Sequence, residues 1–326
     1  MKKVLSLILA LAMVFALAAC GEKQPSNDGN TDGDKPARGN VIMTFGTADT
    51  GGSMYPAGAA VSQVWTNNVQ GVKCNTQTST GSFQNCQDVS TGEVDVAVAT
   101  SDVVLNAYNG TGKFADIGKL DNLRVIGAVY TSVLSGVTLK SSGLTYIHDL
   151  LGKRVAVGPA ASATENATLA AFAAMDITKD NTSLENLGLG DGILDAAFGF
   201  AGLPIGGQLN LAATKEIQVL DMTQEEIDKV LAGNAAYIQT KIPAGTYTGQ
   251  DNDANTFGVK CLIIVTADMD ADLVYDLCKA MNEHTEEMAA GNALLKDMTD
   301  PSFLCTQMPI PLHDGAQKYY SEQGLI

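Results

Sequence analysis

The apolar run from Leu123 to Leu139 is broken only near Tyr130-Thr131-Ser132 and is too long for one ordinary strand. A segment that crosses from one domain into a second accounts for its length. Thr256 to Val265, rich in Val and Ile, reads as the return crossing. The two crossings divide the folded chain into a first lobe, residues 40–134 plus 262–326, and a second lobe, residues 135–261.

Strands that hand over to helices through small and hydroxylic residues recur along the chain. Val41 to Phe45 reads as a buried strand, and Ala57 to Val69 carries apolar residues at helical spacing. Between them lies Phe45-Gly46-Thr47-Ala48-Asp49-Thr50-Gly51-Gly52-Ser53-Met54-Tyr55-Pro56, read as the first wall of a ligand cleft. Gly51 and Gly52 let backbone pass close to a ligand, Ser53 is a candidate N-cap, and Pro56 suits a first helical turn. An ordinary Gly-rich turn is the competing reading. Ser79-Thr80-Gly81-Ser82 leads in the same way from the strand Val72 to Thr78 into a helix from Phe83 to Ser90. Val94 to Ala99 is a near-continuous apolar strand of the kind buried in a parallel sheet, with Thr100-Ser101-Asp102 at its carboxyl end, the end that faces the ligand crevice in open α/β sheets.

The second half reuses this plan. Lys153 to Gly158 predicts a strand, and Ser162 and Glu165 have capping-box spacing ahead of an Ala-rich helix up to Met175. Leu194 to Phe200 echoes Val94 to Thr100 as an Asp-led apolar strand, followed by Ala201-Gly202-Leu203-Pro204. Thr223 and Glu226 form a second capping box before a surface helix that ends near Gly233. Thr246 to Asn255 reads as a polar loop, and one helix spans Asp270 to Ala290.

At the start of the chain, Met1-Lys2-Lys3 and the apolar run Val4 to Ala19 have the form of a secretory signal, too short for a comfortable membrane span. Leu17-Ala18-Ala19-Cys20-Gly21 matches a bacterial lipobox, which makes Cys20 the lipidated residue; an uncleaved anchor is the alternative. Residues 1–19 are thus the signal peptide and 20–39 a disordered tether rich in Gly, Asp, Asn, Lys and Pro. The whole chain has 20 Lys and Arg against 36 Asp and Glu, and loss of the two signal-peptide lysines leaves a formal charge of −18, which disfavours nucleic acid as a partner. The remaining run of about 285 residues suffices for two cores. Cys74, Cys86, Cys261, Cys278 and Cys305 lack CxxC spacing and are not spaced with His148, His284 or His313 as a zinc site requires, so no metal is expected. They read as buried small hydrophobes, with a Cys278–Cys305 bridge as one open pairing.

Taken together, these pieces resemble the TAXI branch of the solute receptors that serve TRAP transporters. The resemblance runs over Val41 to Ile326 and is carried by Gly46-Thr47 to Tyr55-Pro56, Thr80-Gly81-Ser82 with Asn85, Gly92-Glu93-Val94-Asp95, Ser101-Asp102, Asn122-Leu123-Arg124, Leu151-Gly152-Lys153-Arg154-Val155-Ala156-Val157-Gly158, Thr164-Glu165, Gly202-Leu203-Pro204 and the ending Pro309 to Tyr320. It implies an α/β fold of the two-lobed periplasmic-binding-protein kind, type II, with two mixed or parallel sheets, flanking helices and two crossing strands. It also implies a small ligand, a dicarboxylate or amino acid such as glutamate or 2-oxoglutarate, a TRAP permease as partner, no cofactor and no catalytic residues. The implied protein is a monomer held outside the cell membrane by its lipid. Thr47, Thr80, Gly81, Ser82, Asn85, Glu165, Phe200 and Pro204 are candidate ligand contacts on this resemblance. Thr100, Ala160 to Ala163 and Gly199-Phe200 depart from the family's usual cleft residues.

The residues themselves add the cleft chemistry. The chain has three Arg, of which Arg124 and Arg154 begin strands, away from the crevice, so an Arg fork on a ligand carboxylate is not expected. An anion would instead meet helix N-termini and hydroxyls: Thr50, Gly51, Gly52 and Ser53 in one lobe, Ser162, Ala163 and Thr164 in the other. Tyr55 and Tyr130 either face the ligand or belong to the core. Asp102 either receives a ligand ammonium or caps the following helix. Rival functions are a ligand sensor, a receptor for an ATP-driven importer, and a lipid-anchored enzyme; no GxSxG or HExxH motif supports the last.

Overall fold

A computed structural model describes residues 39–50, 52–160, 162–187 and 194–326. The expected signal peptide, tether and lipidated Cys20 lie outside the described residues, as do Gly51 and Ala161. Three parallel strands open the chain: β1 (Val41–Gly46), β2 (Val72–Gln77) and β3 (Val96–Thr100), in the order β2-β1-β3. The second half repeats them as β5 (Arg154–Ala156), β6 (Ser183–Glu185) and β7 (Ala196–Ala201), in the order β6-β5-β7. Two long strands join the halves, β4 (Leu123–Leu139) and β10 (Ala254–Thr266). β10 runs antiparallel to β3, and β4 antiparallel to β7, so each half borrows a strand from a crossing. This is the type II arrangement implied by the resemblance.

The expected pair of separate sheets is corrected to one continuous ladder of ten strands among the described residues. The reason is direct pairing of the crossings: β4 and β10 hydrogen-bond from Leu123 opposite Thr266 to Val133 opposite Gly258, which leaves no break between the halves. Two irregularities in that register, at Cys261/Leu262 and Ile263/Ile264, add local twist. β8 (Ile217–Val219) extends the ladder on β4, and β9 (Tyr237–Ile242), which the sequence reading left without an element, extends it on β10.

The crossings read as long, largely apolar runs because both of their faces are buried and because they pass from one core to another. Along β10, Cys261, Ile263 and Val265 face one cluster with Phe45, Trp65 and Leu277, while Leu262 and Ile264 face a second with Ala97 and Phe114. Further back, Phe257 and Val259 belong to a third, with Phe172 and Phe198. Gly258 pairs with Val133 of β4, and a Cβ there would collide with the Ser132 carbonyl oxygen. Gly258→Ala is therefore expected to lower stability by about 1–3 kcal/mol, read from urea denaturation; an unchanged midpoint would contradict this account of the crossing.

Helices cover both faces: α1 (Met54–Asn68), α2 (Ser82–Thr91), α3 (Ser101–Asn109), α4 (Ala163–Ala174), α5 (Gly206–Ala212), α6 (Gln224–Gly233), α7 (Ala271–Glu283), α8 (Thr285–Gly291), α9 (Pro301–Cys305) and α10 (Asp314–Glu322). The single helix expected over Asp270 to Ala290 is two, separated at His284, whose backbone leaves the helical region. The C-terminal segment returns to the first half: His313 N–H donates to the Val125 carbonyl (2.8 Å), and the Tyr320 hydroxyl to that of Ile126 (2.9 Å). All five cysteines among the described residues are free and buried, so the Cys278–Cys305 bridge is not formed. Burial pushes the Cys74 thiol up to about 11, which keeps it protonated.

Candidate interlobe binding site

The carboxyl ends of β2, β3 and β5 converge on a cavity of about 480 Å³ walled by both halves. The first half supplies Met54, Thr80, Gly81, Ser82 and Phe83, then Asp102, Val103 and Asn106 of α3, and the turn Gly112 to Phe114. The second half supplies Ser162, Ala163 and Asn166 at the start of α4, with Asn234 and Tyr237 beyond α6. Of the residues expected at the site, the structure thus brings together Thr80, Gly81, Ser82, Asp102, Ser162 and Ala163.

Local geometry explains these positions. Gly81 holds the cap position of α2 at φ +107°, where a side chain would be strained, and Ser82 Oγ accepts the Thr100 N–H (3.0 Å) and so pins α2 to the end of β3. The expected Ser82 N-cap is corrected, since Ser82 lies inside the first turn. Asn85 Nδ2 donates to the carbonyls of Thr47 (2.6 Å) and Val98 (2.7 Å), which ties β1 to β3 beneath the cavity. Thr47 is fully buried, and its hydroxyl donates to the Gln77 carbonyl (2.8 Å). Both residues support the wall rather than line it. In the second half Ser162 caps α4 as expected, accepting the Glu165 N–H (3.1 Å). Glu165 turns instead to Asn186 (2.6 Å), and Thr164 packs on Gly158.

Other expected contacts lie elsewhere. Thr50 is exposed, and Gly52 and Ser53 are half-buried outside the cavity wall. Ser53 has a helical backbone and makes no capping bond, and among the described residues the opening turn reaches the cavity through Met54. Tyr130 is buried in the core beside Cys261, and Phe200 in the core of the second half. Thr100 is buried, and Ser101 uses its hydroxyl to donate to the Ala236 carbonyl across the halves (3.2 Å). Tyr55 is half-buried off the wall, and Pro204 lines a separate cavity of about 370 Å³ with Thr131 and Asp297.

The described lining carries one carboxylate, Asp102, one ammonium, Lys113, and no guanidinium. Arg154 pairs with Asp195 (3.9 Å), and Arg124 donates to the carbonyls of Asp121 and Leu123, both off the cavity as expected. Asp102 Oδ1 is shut off from solvent and has no hydrogen-bond partner among the described residues. Burial pushes its carboxyl above the usual carboxylate range, against the pull of the Thr100 hydroxyl and of nearby amides. A raised folded value makes the ionised carboxylate a cost to the empty cleft above that value, a cost that vanishes as pH falls below about 3.8. Tyr237 is held neutral, its hydroxyl pushed up to about 12 by burial and by the charge of Asp102. Asn106 and Asn166 lie one turn beyond Asp102 and Ser162, a spacing that marks them as neighbours on the same helix face. Tyr237, on the strand missing from the sequence reading, carried no such signal.

Among the described residues no group of three His, Cys, Asp or Glu side chains is placed to hold a metal. The structure is similar to the alkanesulfonate-binding protein SsuA from Xanthomonas axonopodis pv. citri bound to MOPS, with a TM-score of 0.48 and 14% identity over 87% of this chain and 85% of that one. It is similar as well to SsuA from Escherichia coli (0.45, 13%, 86% and 82%) and to a substrate binding protein of an amino acid ABC transporter (0.43, 14%, 80% and 98%). In sequence, residues 45–324 match the family described as NMT1-like. That match runs from the end of β1 through β2, β3, the second triplet of parallel strands, both crossings and both walls of the cavity, and the chain belongs to the NMT1-like family.

Proposed function

We propose that this protein is an extracytoplasmic solute-binding receptor that captures a small organic solute between its two lobes and hands it to a membrane permease. One observation carries the reading: a cavity of about 480 Å³ walled by helix starts from both halves, within the ~300–1,000 Å³ range of small-molecule sites. Residues 40–134 with 262–326 form one moving lobe and residues 135–261 the other, and closure bends the crossings β4 and β10. A solute that touches both walls stabilises the closed form. The resemblance in motifs makes the partner a TRAP permease and the chain a monomer of the TAXI kind, lipidated at Cys20 and without catalytic activity. No helix among the described residues is long and apolar enough to cross a membrane. The solute is a dicarboxylate or an amino acid.

The test is a thermal-shift screen of residues 40–326, unfolded and refolded to strip bound solute, against amino acids, dicarboxylates, sugars and short peptides. Ligand at about a hundred times its dissociation constant adds roughly 2.7 kcal/mol, which moves the midpoint by several degrees. Scattering with the best ligand should show compaction. A shift without compaction would remove hinge closure from the reading. Uptake into vesicles driven by an ion gradient identifies the TRAP partner, whereas uptake that requires ATP would replace it with an ATP-driven importer.

A further inference from the structure

We infer that Asp102 is the receptor for an ammonium group, so that the solute taken by the cleft is an amine, an amino acid above all, rather than a plain dicarboxylate. The inference rests on the receptor reading and narrows it.

The first ground is the unsatisfied oxygen. Asp102 lines the cavity, yet its Oδ1 is closed to solvent and accepts no hydrogen bond among the described residues. A buried acceptor without a donor is costly, and an ionised one more so. Asp102 stands in the first turn of α3, where amides lie beside its carboxylate, but these leave Oδ1 over. An alkylammonium supplies what is missing: up to three N–H donors and the opposite charge.

The second ground is the charge of the wall. Asp102 and Lys113 are the one acidic and the one basic side chain among the described lining residues. A dicarboxylate would bring two negative charges to a cavity that already holds a desolvated carboxylate. A zwitterionic amino acid brings one charge of each sign to a wall that offers one of each. The remaining polar lining, which includes Asn106, Asn166, Asn234 and the neutral Tyr237 hydroxyl, donates and accepts without adding charge.

The third ground is position. Asp102 belongs to the first half, and Tyr237 lies near enough on the second half to feel its charge. An ammonium on Asp102 therefore sits where the halves meet, and its binding is coupled to closure.

Calorimetric titration of the refolded protein tests this with matched probes: L-amino acids, the corresponding 2-oxo acids, glutarate and succinate, putrescine, and neutral sugars. The expected result is binding of amine-bearing probes, with glutamate at least thirty-fold tighter than glutarate or 2-oxoglutarate if glutamate binds at all. Asp102→Asn should weaken the best amine at least thirty-fold, the loss typical when one partner of a buried charge pair is removed. Its ligand-free melting midpoint at pH 7 should be unchanged or higher, because a desolvated charge has been removed. Oxo acids or glutarate binding as well as their amino counterparts, or an Asp102→Asn affinity within threefold of the parent, would overturn the ammonium site and leave the receptor intact. A variant that melts lower and binds weakly in proportion would reduce Asp102 to a helix-start residue and also overturn it. Silence across the whole panel would instead count against the receptor reading.

Discussion

Trp65→Ala is expected to cost about 3–5 kcal/mol of unfolding free energy. Trp65 is the chain's one tryptophan and is fully buried in α1, stacked on Phe45 of β1 with ring centroids 5.5 Å apart. Its Nε1–H donates to the Leu277 carbonyl of α7 (3.0 Å), so one side chain joins the opening unit to a helix that enters only after the chain has returned from the second half. Truncation removes the ring, leaves a cavity and deletes that hydrogen bond. Trp65→Phe retains most of the packing and should cost much less, with the hydrogen bond worth about 1 kcal/mol. Circular dichroism during urea unfolding is the measurement, because tryptophan fluorescence disappears with the residue. Equal midpoints for parent and Trp65→Ala would show that the first core is not built on this contact.

Lys260→Met should lower stability by roughly 2–4 kcal/mol, since buried acceptors left without a donor cost about 1–3 kcal/mol each. Lys260 lies on the crossing strand β10 with only 4% of its surface exposed. Its Nζ donates to the carbonyls of Phe303 (2.8 Å) and Thr306 (3.0 Å) and sits 4.4 Å from the centre of the Phe303 ring. These carbonyls close the short helix α9, whose C-terminal end favours a cation. Burial lowers the lysine's pKa below its free value of 10.5. As pH rises from the lowered value toward 10.5, the unfolded chain binds the extra proton, so the parent gains stability relative to Lys260→Met. Denaturation at pH 8 and pH 10 should therefore show a gap that widens with pH; a gap that narrows would mean the lysine is not desolvated in the folded protein.

Much of the architecture was legible because it is written in local periodicity. Five consecutive buried residues make β3 a continuous apolar run, with Val96 and Val98 on one face and Ala97 and Ala99 on the other. The echo between Val94 to Thr100 and Leu194 to Phe200 reflects equivalent strands. Asp95 and Asp195 hold matching places: Asp95 Oδ2 accepts the Thr44 N–H (2.7 Å) and Asp195 Oδ2 the Arg154 N–H (2.9 Å), locking the third strand of each triplet to the first. The Thr223 and Glu226 capping box closes with both arms, and Glu226 also meets His148 Nδ1 (2.7 Å), which no local pattern announces.

The sequence by itself determined most of the strands, β6 and β9 excepted, together with the two crossings and the caps at Ser162 and Thr223, because each depends on residues within a few positions of one another. Only the tertiary structure decided that the crossings pair into one sheet and that Ser53 and Ser82 do not cap their helices. It alone set Thr80 to Ser82, Asp102, Ser162 and Tyr237 around one cavity while leaving Thr50, Gly52 and Ser53 aside. The physical reason is that a hydroxyl or carboxylate takes whichever partner the packing brings within about 3 Å, and packing is fixed by contacts between residues a hundred or more positions apart, on which local spacing carries no information.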